Sequence, residues 1–269
     1  MRTVFMLALL AATSFTSGVE KWRADYEAGL KAPDGWLSVA GLFWLHEGGN
    51  LVGSDPQSEI VLPAGAPARA GMVRLQAGAI AFEPATGAKV ALKPDSSDAV
   101  KFGDVVLSII QRGGKTGVRL RDPNAASLRG FTGCTWFPIS ETWDVKAKWV
   151  AYPEPKKIRI LNILGMTSDE PSPGYAEFTL RGRQLRLEPV IDDGQLFFMF
   201  KDGTSGKSTY AAGRFLYAAM PKEGTVDLDF NKTKNPPCAF TAFATCPLPP
   251  KQNTLPVALE AGEKKYGHH

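Results

Sequence analysis

Histidine is almost missing from this chain. Of its 269 residues only His46, His268 and His269 carry an imidazole, and the last two close the sequence. Ser–His–Asp and Cys–His mechanisms need a positioned imidazole to take the nucleophile's proton. His46, in "FWLHEGGN", is the one internal residue that can serve. Cysteine is as scarce, at Cys134, Cys238 and Cys246, with no C-x2-C spacing. That inventory falls short of the paired ligands a structural zinc needs. The acidic turn at Asp192 and Asp193 has no EF-hand spacing, so neither a metal nor a cofactor is expected. Long basic runs are also lacking. With 31 Lys and Arg against 27 Asp and Glu, the net charge is +4 and evenly spread, which argues against a nucleic-acid partner. No later run of eighteen apolar residues exists, so no integral membrane segment is expected in the mature chain.

What is present is a substantial apolar fraction, 44%, enough for one large domain or two modest ones. The opening "MRTVFMLALLAATSFTSG" carries one early cation, Arg2, an apolar run from Val4 to Ala12, and then small residues. This is the order of a secretory signal peptide over residues 1–18, and its apolar core is too short to span a bilayer as a helix. A secreted or periplasmic location after cleavage follows, and such a compartment tolerates disulfides.

Residues 19–33 place Trp22, Tyr26 and Leu30 at i, i+4 and i+8, which predicts one short amphipathic helix stopped near Pro33. Beyond it the chain is strand and turn. Short β-branched or aromatic runs such as "SEIVLP", "AKVALKP" and "GDVVLSIIQRGGKTGVRLRD" are punctuated by Gly, Pro, Asp and Ser. Turns at Gly113–Gly114 and at Gly182 predict antiparallel hairpins. We expect an all-β fold of two antiparallel β modules, sandwich- or barrel-like, over residues 34–123 and 145–265. Residues 124–144 form an ordered connection.

Several constellations bear on chemistry. "DGTSGKST" (202–209) ends like a phosphate-binding loop, but Lys201 stands where the first glycine belongs and no helix pattern follows, so it reads as a hairpin turn. "VRLRDPNAASLRG" brings Arg121, Asp122 and Arg129 close in sequence, a set suited to a carboxylate, phosphate or sugar acid, or to an internal ion-pair network. "TYAAGRFLYA" and "VDLDFNK" place Tyr210, Arg214, Asp229 and Asn231 on strands that can neighbour one another. Two carboxylates, Asp227 and Asp229, share one strand face, where they can divide acid and base roles or merely balance surface charge.

The runs "GVRLRDPN", "PSPGYAEF", "AGRFLYA" and above all "DFNKTKNPPCAFTAFATCPLPPKQNTLPVALEAGEK" are similar to the bacterial and archaeal family catalogued as domain of unknown function 1684. The resemblance spans about residues 22–265. It marks Arg121, Asp122, Tyr210, Arg214, Asp229, Asn231, Cys238, Cys246, Glu260 and Glu263 as motif positions, and it implies no activity. Its pattern does not call for cysteine at Cys134. A second likeness, of "NLVGSDPQSEIVLP" to the opening of a forkhead-associated domain, implies a sandwich of that kind for the first module. The Ser–x–x–His that phosphopeptide binding would need is missing.

The expected function is an exported protein binding a small polar or anionic ligand, carbohydrate-derived ligands included, in an Arg- and aromatic-lined pocket. The ligand-binding candidates are Arg121, Asp122, Arg129, Tyr210, Arg214, Asp229, Asn231 and Glu260. A hydrolase-type envelope enzyme using carboxylates and arginines, and a structural envelope protein without a ligand, are the alternatives. Cys238 and Cys246, with seven residues between them and five prolines around them, are expected to close a disulfide, two buried thiols being the other reading.

Overall fold

The computed structural model describes residues 2–267, with side chains from Ser14 onward. Met1, the His268–His269 tail and the side chains forming the apolar core of the expected signal segment lie outside that description. The chain divides into two compact units. One is Leu30–Phe131 with Thr241–Ala244; the other is the N-terminal stretch to Gly29, Thr132–Phe240 and the chain from Thr245 on.

The N-terminal helix α1 runs Arg2–Lys31, longer than the amphipathic pattern alone indicates, and ends two residues before Pro33. Proline disfavours helical backbone in the residue before it, which accounts for the stop. Trp22 and Tyr26 stack one turn apart, with ring centroids 5.6 Å apart, as their spacing requires.

The unit around residues 30–131 holds nine strands: β1 (Val39–Trp44), β2 (Gly48–Gly53), β3 (Ile60–Val61), β4 (Gly71–Gln76), β5 (Ala79–Pro84), β6 (Val90–Leu92), β7 (Ala99–Phe102), β8 (Val105–Arg112) and β9 (Lys115–Arg121). They form a five-stranded sheet, β3-β2-β4-β5-β6, and a four-stranded sheet, β1-β9-β8-β7. Every pairing is antiparallel except β2 with β3. Val52, Val73 and Phe82 of the first sheet and Leu107, Ile109, Val118 and Leu120 of the second share one core, the arrangement of a sandwich. Gly113 and Gly114 turn β8 into β9 with φ of 54° and 76°. Both values suit the two-residue hairpin turn, whose twist matches that of the strands. The short helix α2 (Ala126–Arg129) follows.

The second unit contains β10 (Asp144–Leu161), β11 (Thr167–Leu180), β12 (Arg183–Leu187), β13 (Val190–Asp192), β14 (Gln195–Phe200), β15 (Arg214–Ala218) and β16 (Thr225–Asp229). Sheets β12-β11-β10-β16 and β13-β14-β15 are wholly antiparallel. No sheet among the described residues closes into a barrel. Phe178, Leu187, Phe198, Phe200, Leu216 and Phe230 fill the core. β10 is one long strand whose register with β11 shifts between Ala151 and Lys156. Pro153 and Pro155 lie in that gap, where a missing N–H costs no ladder bond.

The stretch 254–263 alternates like a strand but forms only isolated bridges, Thr254 with Lys201 and Glu263 with Trp136. Leu255, Val257, Leu259 and Ala261 enter the core at every second residue. Its polar backbone atoms find other partners: Leu255 N donates to Lys201 O at 2.8 Å, and Val257 O accepts from Gly203 N at 2.8 Å. Side-chain alternation therefore reports an extended chain against a core, with or without a ladder.

Candidate functional site

The second unit carries a cavity of about 260 Å³ lined by Trp22, Gln195, Tyr217, Lys232 and Lys234. Its construction follows from local sequence. In "NKTKN" the two lysines are two residues apart, and in extended backbone that spacing puts them on one face. The segment is held in place by a two-bond bridge, Lys234 N to Phe215 O and Phe215 N to Lys234 O, each 2.9 Å. Tyr217 is two residues beyond Phe215 on β15 and so faces the same way. Trp22 arrives from α1, backed by the parallel ring of Tyr26.

The two lysines differ. Lys232 Nζ lies 3.1 Å from Asp229 Oδ2. Lys234 Nζ has no hydrogen-bond or ion-pair partner among the described residues; it sits over two aromatic faces, 4.8 Å from the Tyr217 ring centroid and 5.3 Å from that of Tyr26. Such contacts favour a cation but replace lost hydration only in part. Burial accordingly pulls the Lys234 pKa down, against the opposing pull of Glu263 and Asp192. Tyr217 donates to Asp192 Oδ2 at 2.7 Å, and burial, reinforced by that carboxylate, pushes its phenol up.

Behind this wall lies Glu263, 1% exposed. Its Oε2 accepts from Asn235 N at 2.7 Å and from Tyr26 Oη at 3.4 Å, and the Cys134 thiol is also hydrogen-bonded to it. Burial pushes the carboxyl up to about 7, with the Asn235 N–H the largest opposing influence. Trp136 meets Trp22 and Tyr26 edge-on at 6.0 Å, and its indole N–H donates to Glu27 at 3.1 Å. The result is an aromatic surround for a partly dehydrated ammonium, with a carboxyl that titrates near neutrality one ring away.

The residues singled out from the sequence fall into separate settings. In the unit around residues 30–131, Arg121 Nε donates to Asp34 O at 3.1 Å, and burial pulls its pKa down against Asp34. Asp122 closes a turn by accepting from Asn124 N at 2.8 Å, while Arg129 donates to Asn124 O. In the second unit, Arg214 is 1% exposed and bound to Asp202 Oδ2 at 2.9 Å, to Leu259 O at 2.9 Å and to Ala261 O. Its fork is committed to the interior, and the cations at the cavity are lysines. Tyr210 donates to Cys238 O at 3.1 Å. Glu260 is exposed and 3.7 Å from Arg181. Asp229 and Asn231 do come together. Asp229 Oδ1 accepts from both nitrogens of Asn231, at 3.1 and 2.9 Å, and Asp229 reaches the cavity through Lys232. Asn231 also exchanges two bonds with the Ser140 backbone, at 3.0 and 2.9 Å.

A family model described as "Protein of unknown function (DUF1684)" matches residues 129–264, just over half of the 269. The chain belongs to this family. Gln195, Tyr217, Lys232, Lys234 and Glu263 all lie inside the DUF1684 span, and Trp22 precedes it. Among solved structures, the chain is similar to the uncharacterized protein from gene locus rrnAC0354 of Haloarcula marismortui, solved by NMR in solution. The two share 28% identity over 53% of this chain and 82% of that one, with a TM-score of 0.44. No curated protein matches the chain.

Cys238 and Cys246, also inside the DUF1684 span, are adjacent. Cys238 N donates to Cys246 Sγ at 3.1 Å, and both sulfurs are thiols in this structure. The hydrogen bond from Cys246 is the largest influence on Cys238 and pulls its pKa down against burial.

Gln195, Tyr217, Lys232 and Lys234 are not among the candidates the sequence offers, and Trp22 stands out there only for its helix spacing. The usable signal was the i, i+2 lysine pair in "NKTKN", next to a proline-rich anchor that fixes its direction.

Proposed function

We propose that this DUF1684 chain binds a small anionic or polar ligand, carbohydrate-derived ligands included, in the cavity of Trp22, Gln195, Tyr217, Lys232 and Lys234. The observation that carries this reading is Lys234. A partly buried ammonium with no ion-pair partner of its own is costly to keep in a folded protein, and facing a cavity it supplies a binding charge. Aromatic walls with a few convergent polar groups are the usual make-up of a small-molecule site. The carboxylate chemistry of the hydrolase alternative has less support, because both oxygens of Asp229 are occupied by Asn231 and Lys232.

A thermal-shift screen of a metabolite and sugar panel tests the proposal. At least one anionic compound should raise the melting temperature of the wild-type chain and leave Lys234→Met unmoved. A ligand at ~100 times its Kd adds about 2.7 kcal/mol, well within detection. A panel without a single response sinks the reading.

Export belongs to the same proposal and rests on the charged, apolar and small-residue order of residues 1–18. Chain recovered from outside the cytoplasm should begin at Val19 by N-terminal sequencing. A chain that keeps residues 1–18 and stays in the cytoplasm refutes it.

A further inference from the structure

The charges around the cavity leave one ammonium uncommitted. Lys232 is held by Asp229, and Tyr217 is held through its hydroxyl by Asp192. Lys234 has two ring faces and no anion of its own. A ligand thus meets one available positive charge, with the carboxylates Asp192 and Asp229 close by and Glu263 behind Tyr26. One negative charge matches that setting. A dianion brings a second charge with no cation left for it, so the nearby carboxylates repel it.

The remaining wall is flat and aromatic. Trp22 lines the cavity and is stiffened from behind by the stacked ring of Tyr26 at 5.6 Å; Tyr217 also lines it, but its ring carries Phe197 at 4.6 Å and Lys234 Nζ at 4.8 Å, so Trp22 is the ring left for a ligand to pack on. Ring faces held in this way accept a planar ring or the C–H face of a sugar ring without paying for side-chain ordering on binding. The volume of about 260 Å³ lies below the range of about 300–1,000 Å³ typical of sites for drug-sized ligands. There is space for a single ring with a short substituent, and Gln195 adds one amide that can donate to or accept from it.

We propose that the ligand is a single-ring carboxylic acid, with its ring against Trp22 and its carboxylate on Lys234 Nζ. This rests on the reading of the cavity as a ligand site and narrows it to one chemical class. Two sources share the chemistry, aromatic acids and sugar acids, and benzoate and glucuronate represent them.

Titration calorimetry of the full chain with five probes decides the matter: benzoate, glucuronate, benzamide, acetate and phenyl phosphate. Benzoate or glucuronate should bind at least about tenfold more tightly than benzamide, which lacks the charge, and than acetate, which lacks the ring. Phenyl phosphate should be weaker than benzoate. Lys234→Met should lose at least about tenfold in affinity. Trp22→Phe should weaken binding of the ring acids and lose most of the ligand-induced change in tryptophan fluorescence. Whichever of benzoate and glucuronate is tighter assigns the source.

Benzamide binding as well as benzoate, or phenyl phosphate binding better, overturns the class. The comparison among probes needs only the wild-type chain, so it holds even if a variant fails to fold. If the ring acids fail while another compound of the thermal-shift panel binds and depends on Lys234, this inference falls and the ligand site stands. If nothing binds at all, both fall.

Discussion

In the unit around residues 30–131, Arg74 meets Glu83 and Arg112 meets Asp95 with every partner at least 30% exposed. In the other unit, Arg214 meets Asp202 with the two side chains 1% and 0% exposed. Glu188 is almost as enclosed, held by Lys156 at 3.1 Å, Gln252 at 2.6 Å and the hydroxyl of Tyr152. Both units are antiparallel β structures with a continuous apolar core, so the fold alone does not account for the difference. Exposed pairs contribute little because water and salt screen them. Enclosed pairs hold segments in one arrangement, and they are costly when broken. The unit with the enclosed ion pairs is also the one with the cavity, the uncommitted lysine and all three cysteines.

The largest test of that contrast is a pair of substitutions. Arg214→Met should cost about 3–5 kcal/mol in chemical denaturation, because Asp202 stays buried without its cation. Arg112→Met in the other unit should cost less than about 1 kcal/mol. Equal costs would erase the distinction.

Next comes pH. The Glu263 carboxyl is held near 7 in the folded state, above the ordinary carboxylate value of 4.5, so the folded chain binds more protons than the unfolded chain between those values. The stability is fully present below about 4.5, declines as pH rises through that window, and is lost above about 7, by up to ~3 kcal/mol. Glu263→Gln should flatten that slope in urea titrations run from pH 5 to 8. A slope that survives the substitution belongs to another group.

Smaller still is the thiol pair. If the exported chain joins Cys238 to Cys246, reductant should remove roughly 2–3 kcal/mol of stability for so short a loop. An unchanged midpoint with reductant, together with two alkylatable thiols, favours the reduced reading.

Much of the architecture was legible in the sequence, because the signals that make a β fold are local. Gly113–Gly114 and Arg181–Gly182 take the left-handed backbone of tight turns, and hairpins form at both places. Lys201 in place of a glycine is enough to exclude a phosphate loop at residues 202–209. The site was less legible, for a physical reason. Trp22, Gln195, Tyr217 and Lys234 come from a helix, two strands and a loop, and no local period links them. Arg214 drew attention as a charged strand residue, yet a guanidinium can be spent on an internal carboxylate and two carbonyls as readily as on a ligand. Only the partners tell these apart.

Arg214 also does something a neighbouring strand would normally do. Its fork binds the carbonyls of Leu259 and Ala261, alternate residues of an extended segment that has no ladder of its own. One side chain stands in for an absent edge, and the segment it holds leads two residues later to Glu263. The tail of the DUF1684 region is thus held by separate bonds to different partners, Leu255 to Lys201, Val257 to Gly203 and Glu263 to Thr233, with the Arg214 fork between them, rather than zipped along one strand. Removing that fork should loosen the amides from Leu259 to Glu263 ahead of those at Leu255 and Val257, which keep their own partners, and the acid behind the cavity should move with the former.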